Sequence, residues 1–180
     1  MRTVEIIYRC GDEADAAGAR PGDADEARRR MDDGNRAFAN LFAQVDAPSS
    51  TARCVIPISG HDFGLDGAGS STPSQRPYAA VLGCADARVP IEMIFNEGPN
   101  DLFVVRVAGN TLGEDVRGSL KYALEHLGDS LKLIVVLGHS QCGAVAAAVD
   151  VFLDPSGYLG LTTKYSIRGL VDRLLVVVQA

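Results

Sequence analysis

The sequence predicts an α/β fold: a single domain with a central, mostly parallel β-sheet flanked by helices, preceded by an N-terminal helical arm. Three observations predict it. Short apolar runs rich in β-branched residues and bounded by turn signals, Tyr78 to Leu82, Leu102 to Val107 and Leu131 to Leu137, read as buried parallel strands. Between the second and third, Val116, Leu120, Ala123, Leu124 and Leu127 recur at helical spacing within Gly113 to Leu127, and Gly128 supplies a stop. Strand, helix and strand in that order make a βαβ crossover, right-handed almost without exception. Finally, 180 residues with 47% hydrophobic content suffice for one sizeable core and would crowd two. The expected layout is an N-terminal segment over residues 1–22 and one α/β domain over 23–180.

From the N-terminus, Val4 to Tyr8 and Val55 to Ile58 are short apolar stretches with Cys10 and Cys54 at their ends, each read as a small half-buried hydrophobe. Asp23 to Phe42 is an amphipathic helix, with Ala27, Met31, Phe38, Leu41 and Phe42 on one side and Arg28 to Arg30 on the other. Aspartates 23 and 25 suit its start. The Gly/Ser-rich stretch from Gly60 to Arg76 is a surface loop. Pro90 to Phe95 is a short helix opened by a proline whose missing N–H costs nothing there, and a further helix runs from about Gln141 to Phe152. Ile167, Leu170, Val171, Leu174, Leu175 and Val178 predict a last helix over Ser166 to Ala180.

A net charge of −6, from 23 acidic and 17 basic side chains with no basic run, argues against a nucleic-acid partner. No apolar run reaches the roughly 18 residues of a membrane span, and Met1 to Cys10 does not read as a signal peptide. A cytoplasmic protein is expected. In that setting four cysteines point to thiols used as ligands or nucleophiles in preference to a disulfide framework.

Two short segments carry the chemistry. In Cys84-Ala85-Asp86-Ala87-Arg88, an extended backbone turns Cys84, Asp86 and Arg88 to one side and both alanines to the other. Alone, this reads first as a structural ion pair beside a buried cysteine. In His139-Ser140-Gln141-Cys142-Gly143, a histidine and a cysteine three apart at the mouth of a helix share a face. Alone, these are equally a loop histidine and a packed thiol. Together they place metal-capable side chains just beyond the carboxyl ends of two parallel strands, where open α/β sheets bind ligands. A Cys₂His set leaves a fourth tetrahedral position open, as catalytic zinc requires. Its softness favours zinc over iron or copper, with cobalt and iron left as possible substitutes.

The segments Gly83 to Pro90, Asp101 to Asn110 and Gly138 to Val145 resemble, in order and spacing, the signature blocks of β-class carbonic anhydrases. The resemblance covers Gln75 to Val149 closely and the helix around Gly34 to Phe38 more loosely. It implies Zn²⁺ at Cys84, His139 and Cys142, a catalytic dyad of Asp86 and Arg88, and reversible hydration of carbon dioxide to bicarbonate and a proton. Asp86 would accept a hydrogen bond from the activated water and Arg88 would orient Asp86; released from Arg88, Asp86 could instead close the open metal position. Gly143, at a helix start, could offer its N–H to the product anion. The resemblance also implies a homodimer or higher homo-oligomer in which the N-terminal helix reaches across the partner. Ala85 and Ala87 replace the family's commoner serines, and the chain lacks the tryptophan of the inhibitory bicarbonate pocket found in some members. The family fold usually continues past the equivalent of Ala180, so the expectation is a truncated form of a longer protein or one that relies on oligomerisation to cover an open edge.

Other readings fit less well. A phosphatase-type cysteine loop needs five residues between Cys and Arg where this chain has three, and no Gly-x-Gly-x-x-Gly follows the first predicted strand. A non-catalytic zinc- or bicarbonate-sensing module, or a hydrolase of CS₂ or COS, would use the same scaffold. His126, in the last turn of its helix, and His61, in the loop, read as solvent-facing.

Overall fold

The computed structural model describes residues 1–11, 20–45, 49–60, 62, 72–161 and 164–179. Its contacts divide the chain into two compact units, one of residues 1–80, 90–103 and 123–134, the other of 81–89, 104–122 and 135–180.

In the first unit, strands β1 (Thr3–Gly11) and β2 (Thr51–Ser59) pair in parallel, from Thr3 opposite Thr51 to Gly11 opposite Ser59. Helix α1 (Ala24–Ala43) connects them, and its start is fixed by Asp23, which accepts the Glu26 N–H on Oδ1 at 2.8 Å. This helix packs on β2 and on the short helix α2 (Ile91–Ile94) of its own chain. Leu41, Val45 and Ala52 form a core that Ile6 and Cys54 complete. Gly34 sits where α1 meets the backbone after α2, and a Cβ there would overlap the Phe95 carbonyl. Sequence patterning did not identify this sheet, because β1 exposes Val4, Ile7 and Tyr8 and so lacks the alternation of a half-buried strand. Cys10, next to last in β1, is exposed, contrary to expectation; Cys54 is half-buried, as expected.

The same unit buries a charged cluster. Glu97 is 2% exposed and accepts Arg30 Nε on Oε1 at 3.1 Å, Arg30 Nη2 on Oε2 at 2.5 Å and the Tyr78 hydroxyl on Oε1 at 2.5 Å. Arg30 also lies over the Tyr78 ring, 4.7 Å from its centroid, and its Nη2 is 3.1 Å from Asp101 Oδ2. Buried charge survives only when partnered in this way. Burial pushes Glu97 up to about 7 against the pull of Arg30.

Strands β3 (Ala79–Cys84), β4 (Leu102–Val107) and β5 (Leu133–Leu137) form a second sheet of order β4-β3-β5. Tyr78 N–H bonds the Asp101 carbonyl at one end of the β3–β4 pair and Ala85 N–H the Val107 carbonyl at the other, a parallel register. Every residue of β3 is buried. The expectation of burial fails for β5, where Ile134 is exposed and Val136 is 64% exposed. Ile134 and Val136 share one face of β5, and among the described residues that face is uncovered.

Helix α3 (Glu114–His126) follows β4 through a single 3₁₀ turn, Ala108–Asn110. Its Val116 and Ala123 are buried, but Leu124, expected on the inner face, is exposed. Phe42, expected inside on α1, is exposed as well, and Gly34 occupies the buried stripe in its place. In the second unit, helices α4 (Gly143–Leu153), α5 (Ser156–Leu159) and α6 (Tyr165–Val178) follow β5, and α4 packs on α6 around Ala148, Val171 and Leu174. The last helix thus forms where its spacing predicted, with Ala180 outside the described residues, and Ile167 is exposed. Much of the predicted Gly60 to Arg76 loop also lies outside them.

Candidate metal centre

All the site residues predicted from the sequence fall in the second unit. Cys84 is the last residue of β3, His139 stands two residues beyond β5, and Cys142 immediately precedes α4. Each sits where a regular element ends, so its side chain is aimed by the element while its backbone is free to turn. The ligand atoms of Cys84, His139 and Cys142 all lie within 4.8 Å of one another.

The donor chemistry fits a tetrahedral cation. Cys84 Sγ and Cys142 Sγ are 3.9 Å apart and both cysteines are buried; two thiolates at about 2.3 Å on one tetrahedral zinc stand roughly 3.8 Å from each other. His139 Nδ1 lies 3.0 Å from the Ser140 carbonyl and donates to it, which leaves the lone pair on Nε2. That Nε2 is buried and has no hydrogen-bond partner. The Cys84 sulfur interacts with it without meeting hydrogen-bond geometry, and a cation held by all three donors would satisfy it.

Electrostatics favour the ligating thiolate form of Cys84, whereas without a cation they favour the protonated form of His139. Burial opposes ionisation of Cys84, but His139 and the backbone N–H groups of Asp86 and Gly109 outweigh it and hold the thiol at about 7. His139 is raised from its ordinary value, first by the Cys84 sulfur. Gly109 donates its N–H to Cys84 Sγ at 3.3 Å from a left-handed backbone, φ +66. A Cβ at that position would meet Leu174 Cδ1 at 3.0 Å and Ala144 Cβ at 3.1 Å, so both conformation and space call for glycine.

Asp86 and Arg88 are locked together beside this set. Arg88 Nε donates to Asp86 Oδ1 at 3.0 Å, Nη2 to Oδ2 at 2.7 Å, and the Arg88 backbone N–H to Oδ1 at 2.9 Å. The Arg88 hydrogen bonds hold the Asp86 carboxyl well below the usual carboxylate range. Asp86 Oδ2 reaches to 3.9 Å from His139 Nε2, and Arg88 Nη2 also donates to the Gln141 carbonyl at 3.2 Å, tying the Cys84 segment to the Cys142 segment. Gly143 is the first residue of α4, exposed, with open space where a Cβ would stand.

Arg106 was given no role from the sequence. Its Nε donates to the Cys84 carbonyl at 3.0 Å and its Nη2 to the Asp86 carbonyl at 2.7 Å, so it clamps the backbone of the site segment from β4. The signal was present: a lone arginine inside an otherwise apolar strand requires a partner. His126 occupies the last turn of α3, and His61 lies outside the described residues.

A family model described as carbonic anhydrase matches residues 79–170. A carbonic anhydrase of Mycolicibacterium smegmatis is 43% identical over 114 residues, covering 62% of this chain and 50% of that protein. Carbonic anhydrase 2 of Mycobacterium tuberculosis is 45% identical over 103 residues, covering 56% and 45%. The chain therefore spans about half the length of the curated relatives it matches. Among solved structures, the β-carbonic anhydrase CcaA superposes with a TM-score of 0.49 at 26% identity, covering 57% of this chain and 45% of that one.

Proposed function

This chain belongs to the carbonic anhydrase family, in its β class, and from that premise we propose that it hydrates carbon dioxide reversibly to bicarbonate and a proton, with Zn²⁺ held by Cys84, His139 and Cys142. The observation that carries the proposal is the orphaned, buried Nε2 of His139 facing two thiols at tetrahedral spacing, with a carboxylate fixed beside them. Zinc bound there supplies, as is known of carbonic anhydrases, the Lewis acidity that makes water a nucleophile near neutral pH.

The chain's own residues do the rest. Asp86, kept ionised by Arg88, accepts a hydrogen bond from the attacking water and so directs the remaining lone pair at the substrate carbon. While Arg88 occupies both carboxylate oxygens, Asp86 is restrained from becoming a fourth ligand, and the geometry corresponds to an open site. Arg106 keeps the Cys84 and Asp86 backbone in place. The N–H of Gly143, at the start of the eleven-residue α4, is available to the developing anion.

We extend the proposal to self-association as a homodimer or larger homo-oligomer. Leu153, Leu159, Val176 and Val177 are all exposed on the helices of the second unit, apolar surface that a second copy would cover. No described helix is long and apolar enough to cross a membrane; a cytoplasmic location remains part of the proposal. Elemental analysis together with stopped-flow carbon dioxide hydration tests the reading. About one zinc per chain and hydration well above the buffer rate are expected, and a zinc-replete protein at the buffer rate would overturn the activity.

A further inference from the structure

We propose that Cys84 and Cys142 are also a modification site: with the metal absent, a peroxide converts them into a reversible intrachain disulfide that closes the centre to zinc. The inference rests on the zinc ligands assigned above and adds a second fate for the same sulfurs.

The geometry favours this pair. The sulfurs are 3.9 Å apart, and a disulfide needs them at about 2.05 Å. Cys84 is the fixed member, because it ends a fully buried strand, receives the Gly109 N–H on its sulfur and has its carbonyl clamped by Arg106. Cys142 is the movable member. It lies between Gly138 and Gly143, each with open space around it, and follows Gln141, a non-glycine residue at φ +55. Rotation of the Cys142 side chain with a small shift of this segment, whose Gln141 carbonyl Arg88 also holds, closes the gap without disturbing the strand. The other two cysteines cannot form a competing pair with each other, since Cys54 stands opposite Ile6 and Cys10 opposite Ile58, four rungs or roughly 13 Å apart along the sheet.

The reaction balances with one peroxide. One thiolate attacks an oxygen of hydrogen peroxide, the O–O bond breaks, and a sulfenic acid forms as the first water leaves. The second thiol attacks that sulfur, the S–S bond forms, and the hydroxyl departs as the second water. Both sulfurs are oxidised and both peroxide oxygens are reduced. Zinc prevents the reaction by engaging the thiolate lone pairs; conversely, the disulfide leaves His139 as the lone remaining ligand of the three, too few to hold zinc. A dithiol reductant restores the site.

The test uses the full chain in two samples, as purified and after chelator treatment, each exposed to stoichiometric hydrogen peroxide. Peptide mapping and thiol counting follow. In the stripped sample two of the four thiols are lost and the tryptic peptides 54–88 and 133–164 are found linked, with fragmentation placing the bridge on Cys84 and not on Cys54, which shares the first peptide; the zinc-bearing sample reacts at least tenfold more slowly. Dithiothreitol returns both thiols and zinc uptake of about one per chain. The Cys10→Ser/Cys54→Ser protein behaves in the same way, which separates the proposed bridge from reactions of the strand cysteines. Over-oxidation of either site cysteine without linkage, a bridge involving Cys10 or Cys54, or equal rates with and without zinc would each overturn the proposal. Protein that holds no zinc before treatment, even when expressed with zinc, would instead overturn the metal assignment itself.

Discussion

Arg88 closes a ring around the Asp86 carboxylate, with side-chain bonds of 3.0 and 2.7 Å to its two oxygens and a backbone N–H bond of 2.9 Å to the first. Three donors on one carboxylate hold it in one orientation and one charge state, beside the lone pair of His139 Nε2.

Arg88→Ala removes the two side-chain bonds and touches no metal ligand. Zinc content stays near that of the parent while carbon dioxide hydration falls by roughly 10- to 100-fold, as when other groups that orient a metal site are lost. Undiminished rates in zinc-replete Arg88→Ala would show that the pair is structural only.

Cys142→Ala removes one of the three proposed zinc ligands. Zinc drops from about one per chain to a small fraction of that, since two ligands bind a catalytic zinc weakly. Atomic absorption on dialysed protein checks this, with circular dichroism confirming that the fold persists. Full occupancy would dismiss Cys142 as a ligand.

Glu97 links stability to pH in the first unit. Its folded value of about 7 lies above the unfolded 4.5, so the folded chain binds the extra proton. The stabilisation from this group is fully present below pH 4.5 and is lost as pH rises through about 7, by an amount on the order of 3 kcal/mol. Glu97→Gln keeps an acceptor for Tyr78 but cannot titrate. Urea midpoints at pH 5 and pH 8 should differ more for the parent than for the variant, after allowance for the groups common to both. Identical pH dependence in the two proteins would contradict a titrating Glu97.

Two helical glycines should respond in opposite directions to the same change. Gly34→Ala drives a methyl into the Phe95 carbonyl and destabilises by about 2 kcal/mol or more. Gly118, in α3, has nothing within 4 Å of its Cβ position, and Gly118→Ala stabilises by about 0.5–1 kcal/mol through lower unfolded-state entropy. Thermal melts of the two variants against the parent measure both; a neutral Gly34→Ala would mean that α1 does not approach Phe95 so closely.

Much of this protein was legible from sequence because its determinants are local. Apolar runs at Leu102 to Val107 and Leu131 to Leu137 announced strands, the spacing from Val116 to Leu127 announced the helix between them, and Asp23 marked the start of α1. The two short segments named Cys84, Asp86, Arg88, His139, Cys142 and Gly143 by residue type and by position just beyond strand ends; the extended run expected over residues 84–88 is instead a turn at Ala87 and Arg88, with the Val89 N–H on the Asp86 carbonyl at 3.0 Å, and that turn brings Arg88 back onto Asp86. What required tertiary structure is whatever depends on residues distant in sequence. Pairing of β1 with β2, exposure of Val136 and Leu124, the burial of Glu97 against Arg30 and Tyr78, and the Arg106 clamp on the Cys84 and Asp86 carbonyls all leave no periodic trace. The separation of 3.9 Å between Cys84 and Cys142 belongs to the same class. The two cysteines are 58 positions apart in the chain, so only the sheet order and the placement of α4 set the distance that decides whether they share one cation.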